Sequence, residues 1–266
     1  MSGDPGGFFE AVGRMQDVGL DELNSGAELL TRTDRKYVVS AGQLDGLIAE
    51  FEPSCAVLQL DGRRSFSYST TYHDTPGRHL HRDTAHRRPR RFKVRVREYA
   101  DSGLVMLEVK AKNGRGRTVK HRVDTAQFTD RPSSPHESMT NQMRTYVDSV
   151  LETDLTCQLE PSLRVDFSRT TLLTHSGAAR CTIDLGLHCE DPAGNAVNPD
   201  VVVVETKSEQ RASVVDRWLW ANGVRPTRFS KYCTAMAALD ASLPANHWHR
   251  QLATHFPPRR IRSSSA

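Results

Sequence analysis

The chain lacks paired cysteines, long apolar runs and, over one stretch, almost all acid. Its five cysteines (Cys55, Cys157, Cys181, Cys189, Cys233) are scattered, odd in number and without a C-x-x-C pair. That argues against a disulfide framework or a cysteine zinc site, and for reduced thiols in a cytoplasmic protein. No apolar run approaches the roughly 20 residues of a membrane-spanning helix. "VVVV" at Val201 to Val204 reads as a strand. The start, "MSGDPGGFFEAVGRM", lacks the basic-then-apolar pattern of a secretion signal. Aromatics make up only 7% of the residues, which disfavours a base-stacking platform for nucleic acid. Between Arg78 and Arg97 the only acid is Asp83.

What is present suits a folded protein. The 266 residues are 37% hydrophobic and 26% charged, with a net charge of +4, enough for one large or two small domains with a core. Alternation predicts eight strands: Lys36–Val39, Phe66–His73, Phe92–Tyr99, Val105–Lys112, Thr118–Asp124, Ser162–Thr171, Ala179–Leu187 and Val201–Ser208. Helices are expected after Ser40 as N-cap, from Ser134-Pro135 with Glu137 completing a capping-box spacing, up to Gly223, and over "KYCTAMAALDA". Strands outnumber helices, so the expected class is α+β with a mostly antiparallel sheet. Residues 1–24 read as a flexible leader, 25–243 as the domain, and 244–266 as a basic, disordered tail.

The strands carry an unusual pattern. In "FKVRVREY", Lys93, Arg95 and Arg97 share one face and Phe92, Val94 and Val96 the other. Glu108, Lys110 and Lys112 alternate in the same way, as do Lys120 with Arg122, Arg180 with Thr182 and Asp184, and Glu205 with Lys207. Like charges facing each other destabilise an ordinary solvated sheet. The conflict disappears if the sheet closes into a barrel whose basic faces surround a polyanion while helices cover its apolar faces. Phosphate chains fit best, because guanidinium forks and ammonium points both bind phosphate oxygens.

Nine short stretches then carry a family resemblance: "RTDRKY", "YHD", "RVREY", "LEVK", "VKHR", "RVDFSRT", "RCTID", "VETK" and "SKY", in order between about Leu29 and Ala238. Together they resemble the vacuolar transporter chaperone (VTC) domain, the polyphosphate polymerase branch of the triphosphate tunnel metalloenzymes, related to CYTH proteins. The resemblance implies an eight-stranded antiparallel tunnel with covering helices, acting as an ATP-polyphosphate phosphotransferase. By position it implies phosphate ligands at Lys36, Arg95, Arg97, Lys110, Lys120, Arg164, Arg180 and Lys231, with catalytic weight on Arg95, Arg97, Lys110, Lys120 and Lys231. Arg122 and Lys207 join the phosphate-binding set from their faces. Glu205 would hold Mn²⁺ or Mg²⁺, with Asp34 and then Glu108 as further metal candidates. Where the wider class begins E-x-E-x-K, this chain has Arg32, Asp34 and Lys36, which leaves the second metal ligand open.

The expected partners are ATP and inorganic polyphosphate. No specific nucleic acid and no membrane span are expected, and a membrane partner protein is compatible with the sequence. "NGRGRTVK" lacks the spacing of a phosphate-cradling loop and reads as a hairpin turn. His79, His81 and His86 lack a fourth ligand for zinc, and Trp218 and Trp220 read as helix packing. Chain growth, hydrolysis of tripolyphosphate or nucleoside triphosphate, and non-catalytic binding of polyphosphate or nucleic acid all remain open at this point.

Overall fold

The computed structural model describes residues 6–25, 33–112, 118–152, 155–176, 179–208 and 211–256. Along the chain run α1 (Gly6–Arg14), β1 (Gln16–Val18), α2 (Leu20–Ser25), β2 (Thr33–Val39), α3 (Ala41–Phe51) and β3 (Cys55–Leu58). Next come β4 (Phe66–Asp74), α4 (His79–Ala85), β5 (Arg91–Tyr99), β6 (Leu104–Lys112), β7 (Thr118–Asp124) and α5 (Asn141–Leu151). The rest comprises β8 (Glu160–Thr174), β9 (Ala179–Glu190), β10 (Ala196–Val197), β11 (Val202–Ser208), α6 (Val214–Ala221), α7 (Lys231–Leu239) and α8 (His249–His255).

Eight strands follow one hydrogen-bonded order, β2-β11-β9-β8-β4-β5-β6-β7. They correspond one for one to the eight strands expected from alternation. The pairings β2–β11, β11–β9, β4–β5, β5–β6 and β6–β7 are antiparallel. The class is therefore α+β with an eight-stranded antiparallel sheet. Lys112 faces Thr118 across the β6–β7 pair; the turn read in "NGRGRTVK" lies outside the described residues, as does Arg32.

The chain divides into two compact units. The first comprises Met1–Ser67, Phe167–Leu187 and Asp200–Phe229, and the second Tyr68–Asp166, His188–Pro199 and Ser230–Ala266. In the first unit, Tyr37, Ile183 and Val204 from the strands are buried against Leu47 and Ile48 of α3 and Val215 and Leu219 of α6. Asp216 holds α6 to those strands by accepting from Tyr37 at 2.6 Å, Thr206 at 2.5 Å and the Ser213 amide at 2.7 Å. Trp220 donates to the Tyr37 hydroxyl at 3.0 Å, and Trp218 packs edge-on against Phe51. Both tryptophans thus serve helix packing.

In the second unit, Val94, Val96, Leu107 and Val109 pack against Leu80 of α4 and Met143 and Val147 of α5. Each such side chain contributes about 1.5–3 kcal/mol by leaving water. The apolar faces of β5 and β6 therefore lie under helices, as the alternation implied.

Two local readings change. Residues 1–24 include a helix: Phe8, Val12 and Met15 are buried, and Arg64 donates to the carbonyls of Val12, Gly13 and Met15 at 2.8 Å. This tertiary clamp satisfies carbonyls that a glycine-rich helix leaves unpaired at its end. Likewise the helix expected at Ser134 begins at Asn141, capped by Thr140. Glu137 does bond backward, accepting from the Ser133 amide at 3.1 Å, but within a turn. Asp130 fixes the true start by accepting from the Thr140 hydroxyl at 3.0 Å and the Gln142 amide at 3.2 Å. At the other end, His249–His255 is helical, and residues 257–266 lie outside the described set.

Candidate functional site

In the second unit, strand register builds a cationic face. Arg91 opposes Lys112, Lys93 opposes Lys110, and Arg95 opposes Glu108 across β5–β6. Across β6–β7, Glu108 opposes Arg122 and Lys110 opposes Lys120. Directly opposed residues share a face, so Lys93, Lys110 and Lys120 form one row across three strands. In the next row, Arg95–Glu108–Arg122, Glu108 is the single carboxylate between two cations.

Glu108 is buried and surrounded by charge. It takes the Arg95 Nε at 2.6 Å, pairs with the Lys120 ammonium, and has Arg97 Nη1 at 3.9 Å. Burial alone would raise its pKa, but Arg95, Arg97 and Lys120 hold it well below the usual carboxylate range. Lys120 is pushed down to about 8, first by loss of water around its ammonium and then by Arg95 and Arg97, against the pull of Glu108. Arg97 is buried, donates to Thr70 at 3.2 Å and lies 5.4 Å over the Tyr68 ring.

The closing helix joins this neighbourhood. Ser230 caps α7 by accepting from the Cys233 amide, and its hydroxyl also accepts from Lys93 Nζ at 2.8 Å. Tyr72 accepts from Arg95 Nη1 at 3.2 Å and stacks on Tyr232 at 4.9 Å. Burial would raise the Tyr72 phenol; Arg95, then Arg97, Lys93 and Lys231, bring it below the ordinary tyrosine value. Lys231 opens α7, directly after the Ser230 cap that Lys93 reaches. Arg164 on β8 is exposed and pairs with its neighbour Asp166 at 3.0 Å.

The first unit holds a separate cluster around Glu205. Lys36 faces Glu205 in the β2–β11 register and pairs with Oε2 at 2.6 Å, while Lys207 Nζ lies 3.5 Å from Oε1. Burial opposes ionisation there, yet Lys36 and Lys207 hold the Glu205 carboxyl far below its usual range. Asp34 is exposed and faces Lys207, which in turn faces Arg180 on β9. Arg180 donates to the Leu23 carbonyl. Asp184 forms a two-pronged pair with Arg169, at 2.6 and 2.8 Å.

Among the described residues no three His, Cys, Asp or Glu side chains converge as a metal cage. A protein-only site is not what Mg²⁺ or Mn²⁺ needs, since one or two carboxylates suffice when phosphate and water complete the shell. Glu205 presents carboxylate oxygens between Lys36 and Lys207, and the Thr182 hydroxyl in the facing position is buried without a partner. These oxygen donors fit a hard divalent cation at Glu205. Glu108, by contrast, is already matched by three cations.

Apart from Arg164 on β8 and Lys231 on α7, the expected residues fall into two sets. Arg95, Arg97, Glu108, Lys110, Lys120 and Arg122 share one strand face, while Lys36, Asp34, Glu205, Lys207 and Arg180 share another. Tyr72, Lys93 and Thr182 were not among the expected site residues. For Lys93 the signal was present, because it sits in the same alternating row as Arg95 and Arg97.

The VTC domain family matches residues 31–240. No curated protein sequence matches the chain. Solved structures similar to it include a Hippeastrum protein described as a candidate adenylyl cyclase with a dominant triphosphatase activity, at 11% identity and a TM-score of 0.45 over 76% of this chain and 93% of that one. The PH1819 protein of Pyrococcus horikoshii is similar at 13% identity and a TM-score of 0.41, over 76% and 93% of the two chains. A Vibrio parahaemolyticus protein described as a candidate adenylate cyclase is similar at 13% identity and a TM-score of 0.37, over 73% and 82%.

Proposed function

The chain belongs to the VTC domain family, and we propose that it moves the γ-phosphoryl group of ATP onto a growing polyphosphate chain. The observation that carries this reading is the row Lys93–Lys110–Lys120, three cations set directly opposite one another on adjacent strands. Such a row is unfavourable by itself. It becomes favourable when a linear polyanion lies along it, because each phosphate neutralises the charge that its neighbours repel.

Phosphoryl transfer needs positioning and charge neutralisation more than a protein nucleophile. A terminal oxygen of the chain attacks the γ-phosphorus in line, the bond to the ADP oxygen breaks, and ADP leaves. Arg95, Arg97, Lys110 and Lys120 neutralise the transferred group, and Lys231 steadies it from the start of α7. Lys36, Arg122, Arg164, Arg180 and Lys207 bind other phosphates of the nucleotide or chain. Glu205, with Asp34 as the second carboxylate, would hold Mn²⁺ or Mg²⁺, which supplies charge to phosphate oxygens when bound.

Recognition is tested by competition at fixed salt between tripolyphosphate and duplex DNA of equal charge. The reading expects tripolyphosphate to win, because discrete guanidinium and ammonium positions fit single phosphates at short spacing. Displacement of tripolyphosphate by DNA at equal charge would favour nucleic-acid binding instead.

A further inference from the structure

Thr182 sits in a place where its hydroxyl has nothing to do. It is 4% exposed, and its Oγ1 has no hydrogen-bond partner. Register puts it directly opposite Glu205 across β9–β11, while Lys36 faces Glu205 from β2. Lys36, Glu205 and Thr182 therefore form one row on one face of three strands. The opposite face offers a contrast, since the buried Thr206 hydroxyl donates to Asp216 at 2.5 Å.

A β-branched shape alone does not require threonine here. Val203, Val204 and Ile183 occupy neighbouring positions in the same two strands. Valine has nearly the same shape and leaves no unsatisfied polar atom, so a buried orphan hydroxyl costs stability that valine avoids. The hydroxyl needs a ligand to justify it. Beside the carboxylate oxygens of Glu205, a neutral oxygen donor suits a hard divalent cation.

We propose that Thr182 supplies an oxygen ligand, beside Glu205, to the divalent cation of this protein. The inference rests on the metal role given to Glu205 above and adds a residue to it. In the absence of the ion, Lys36 and Lys207 neutralise Glu205, at 2.6 and 3.5 Å. The cation competes with those lysines for the Glu205 oxygens, and the Thr182 hydroxyl adds an oxygen that favours the cation in that exchange.

The test titrates Mn²⁺ into the full-length protein in phosphate-free buffer and follows free Mn²⁺ by electron paramagnetic resonance. Wild type is compared with Thr182→Val, Thr182→Ser and Glu205→Gln, with thermal melts of the metal-free proteins in parallel. Thr182→Val should weaken Mn²⁺ binding by at least about tenfold, a loss that even outer-shell changes can cause. Thr182→Ser should restore it, and the Thr182→Val protein should melt no lower than wild type. Normal Mn²⁺ binding by Thr182→Val alongside loss in Glu205→Gln overturns this inference and leaves the Glu205 reading standing. If neither variant changes binding, or wild type binds no Mn²⁺, the Glu205 reading falls as well. Weakened tripolyphosphate binding with unchanged Mn²⁺ binding in Thr182→Val would assign the hydroxyl to phosphate and also overturn the proposal.

Discussion

The Tyr232 hydroxyl donates to the Asp74 carboxylate at 2.5 Å, and both residues are buried. Asp74 also accepts from the amides of Leu80 and His81 at 2.9 Å, so one carboxylate ties the end of β4, the start of α4 and helix α7 together. Lys231 is the residue before Tyr232. The anchor therefore sets the position of the helix start that carries it.

Tyr232→Phe keeps the ring stacked on Tyr72 but removes one charge-assisted bond from a buried carboxylate. The expected cost is about 1.5–3 kcal/mol, read as a lower urea midpoint with an unchanged slope. An unchanged midpoint would mean that Asp74 is adequately satisfied by backbone amides.

Lys231→Ala should separate function from folding. Lys231 is half-buried at the first position of α7, whose Ser230 cap remains in the variant. Turnover should fall by at least about tenfold, as for loss of a charge that stabilises the transferred group, while the melting temperature stays near that of wild type. A matched loss of stability and turnover would make Lys231 structural.

Glu108→Gln removes the carboxylate that Arg95, Arg97 and Lys120 share. Breaking such a buried group typically costs about 3–5 kcal/mol, and the loss should appear in phosphate-free buffer. Tripolyphosphate should raise the melting temperature of this variant more than that of wild type, because the added anion replaces the missing charge. Equal increments in both proteins would show that the ligand binds elsewhere.

Lys120 gives a pH signature. Its pKa is pushed down to about 8, so its charge is present below that pH and is lost as pH rises through it. Tripolyphosphate affinity should therefore fall between about pH 7 and pH 9 beyond the effect of the ligand's own protonation. Lys120→Arg keeps its charge throughout this window, so calorimetric titration should show a smaller fall. Parallel pH profiles for the two proteins would remove Lys120 from the binding site.

Much of this was legible in the sequence because strand alternation is local. Phe92 to Tyr99 and Leu107 to Lys112 separate valine from arginine and lysine residue by residue, and the observed register keeps that separation. What lay beyond reach depends on distant partners. Helix α1 is rich in glycine and persists through Phe8, Val12 and the grip of Arg64. Ser134-Pro135 followed by Glu137 has the letters of a helix start, but Asp130 captures Thr140 and Gln142 and moves the start onward. Thr182 reads as an ordinary strand threonine until register places it opposite Glu205. The convergence of Arg95, Arg97 and Lys120 on Glu108 likewise depends on contacts made across three strands.

Chain growth is read from the fate of the γ-phosphate. Purified protein incubated with Mn²⁺ and ATP labelled at the γ-position should yield ADP, with matching label in long polyphosphate that an exopolyphosphatase releases. ADP accompanied by equimolar labelled orthophosphate and no long chains would contradict polymerisation and make the protein a hydrolase.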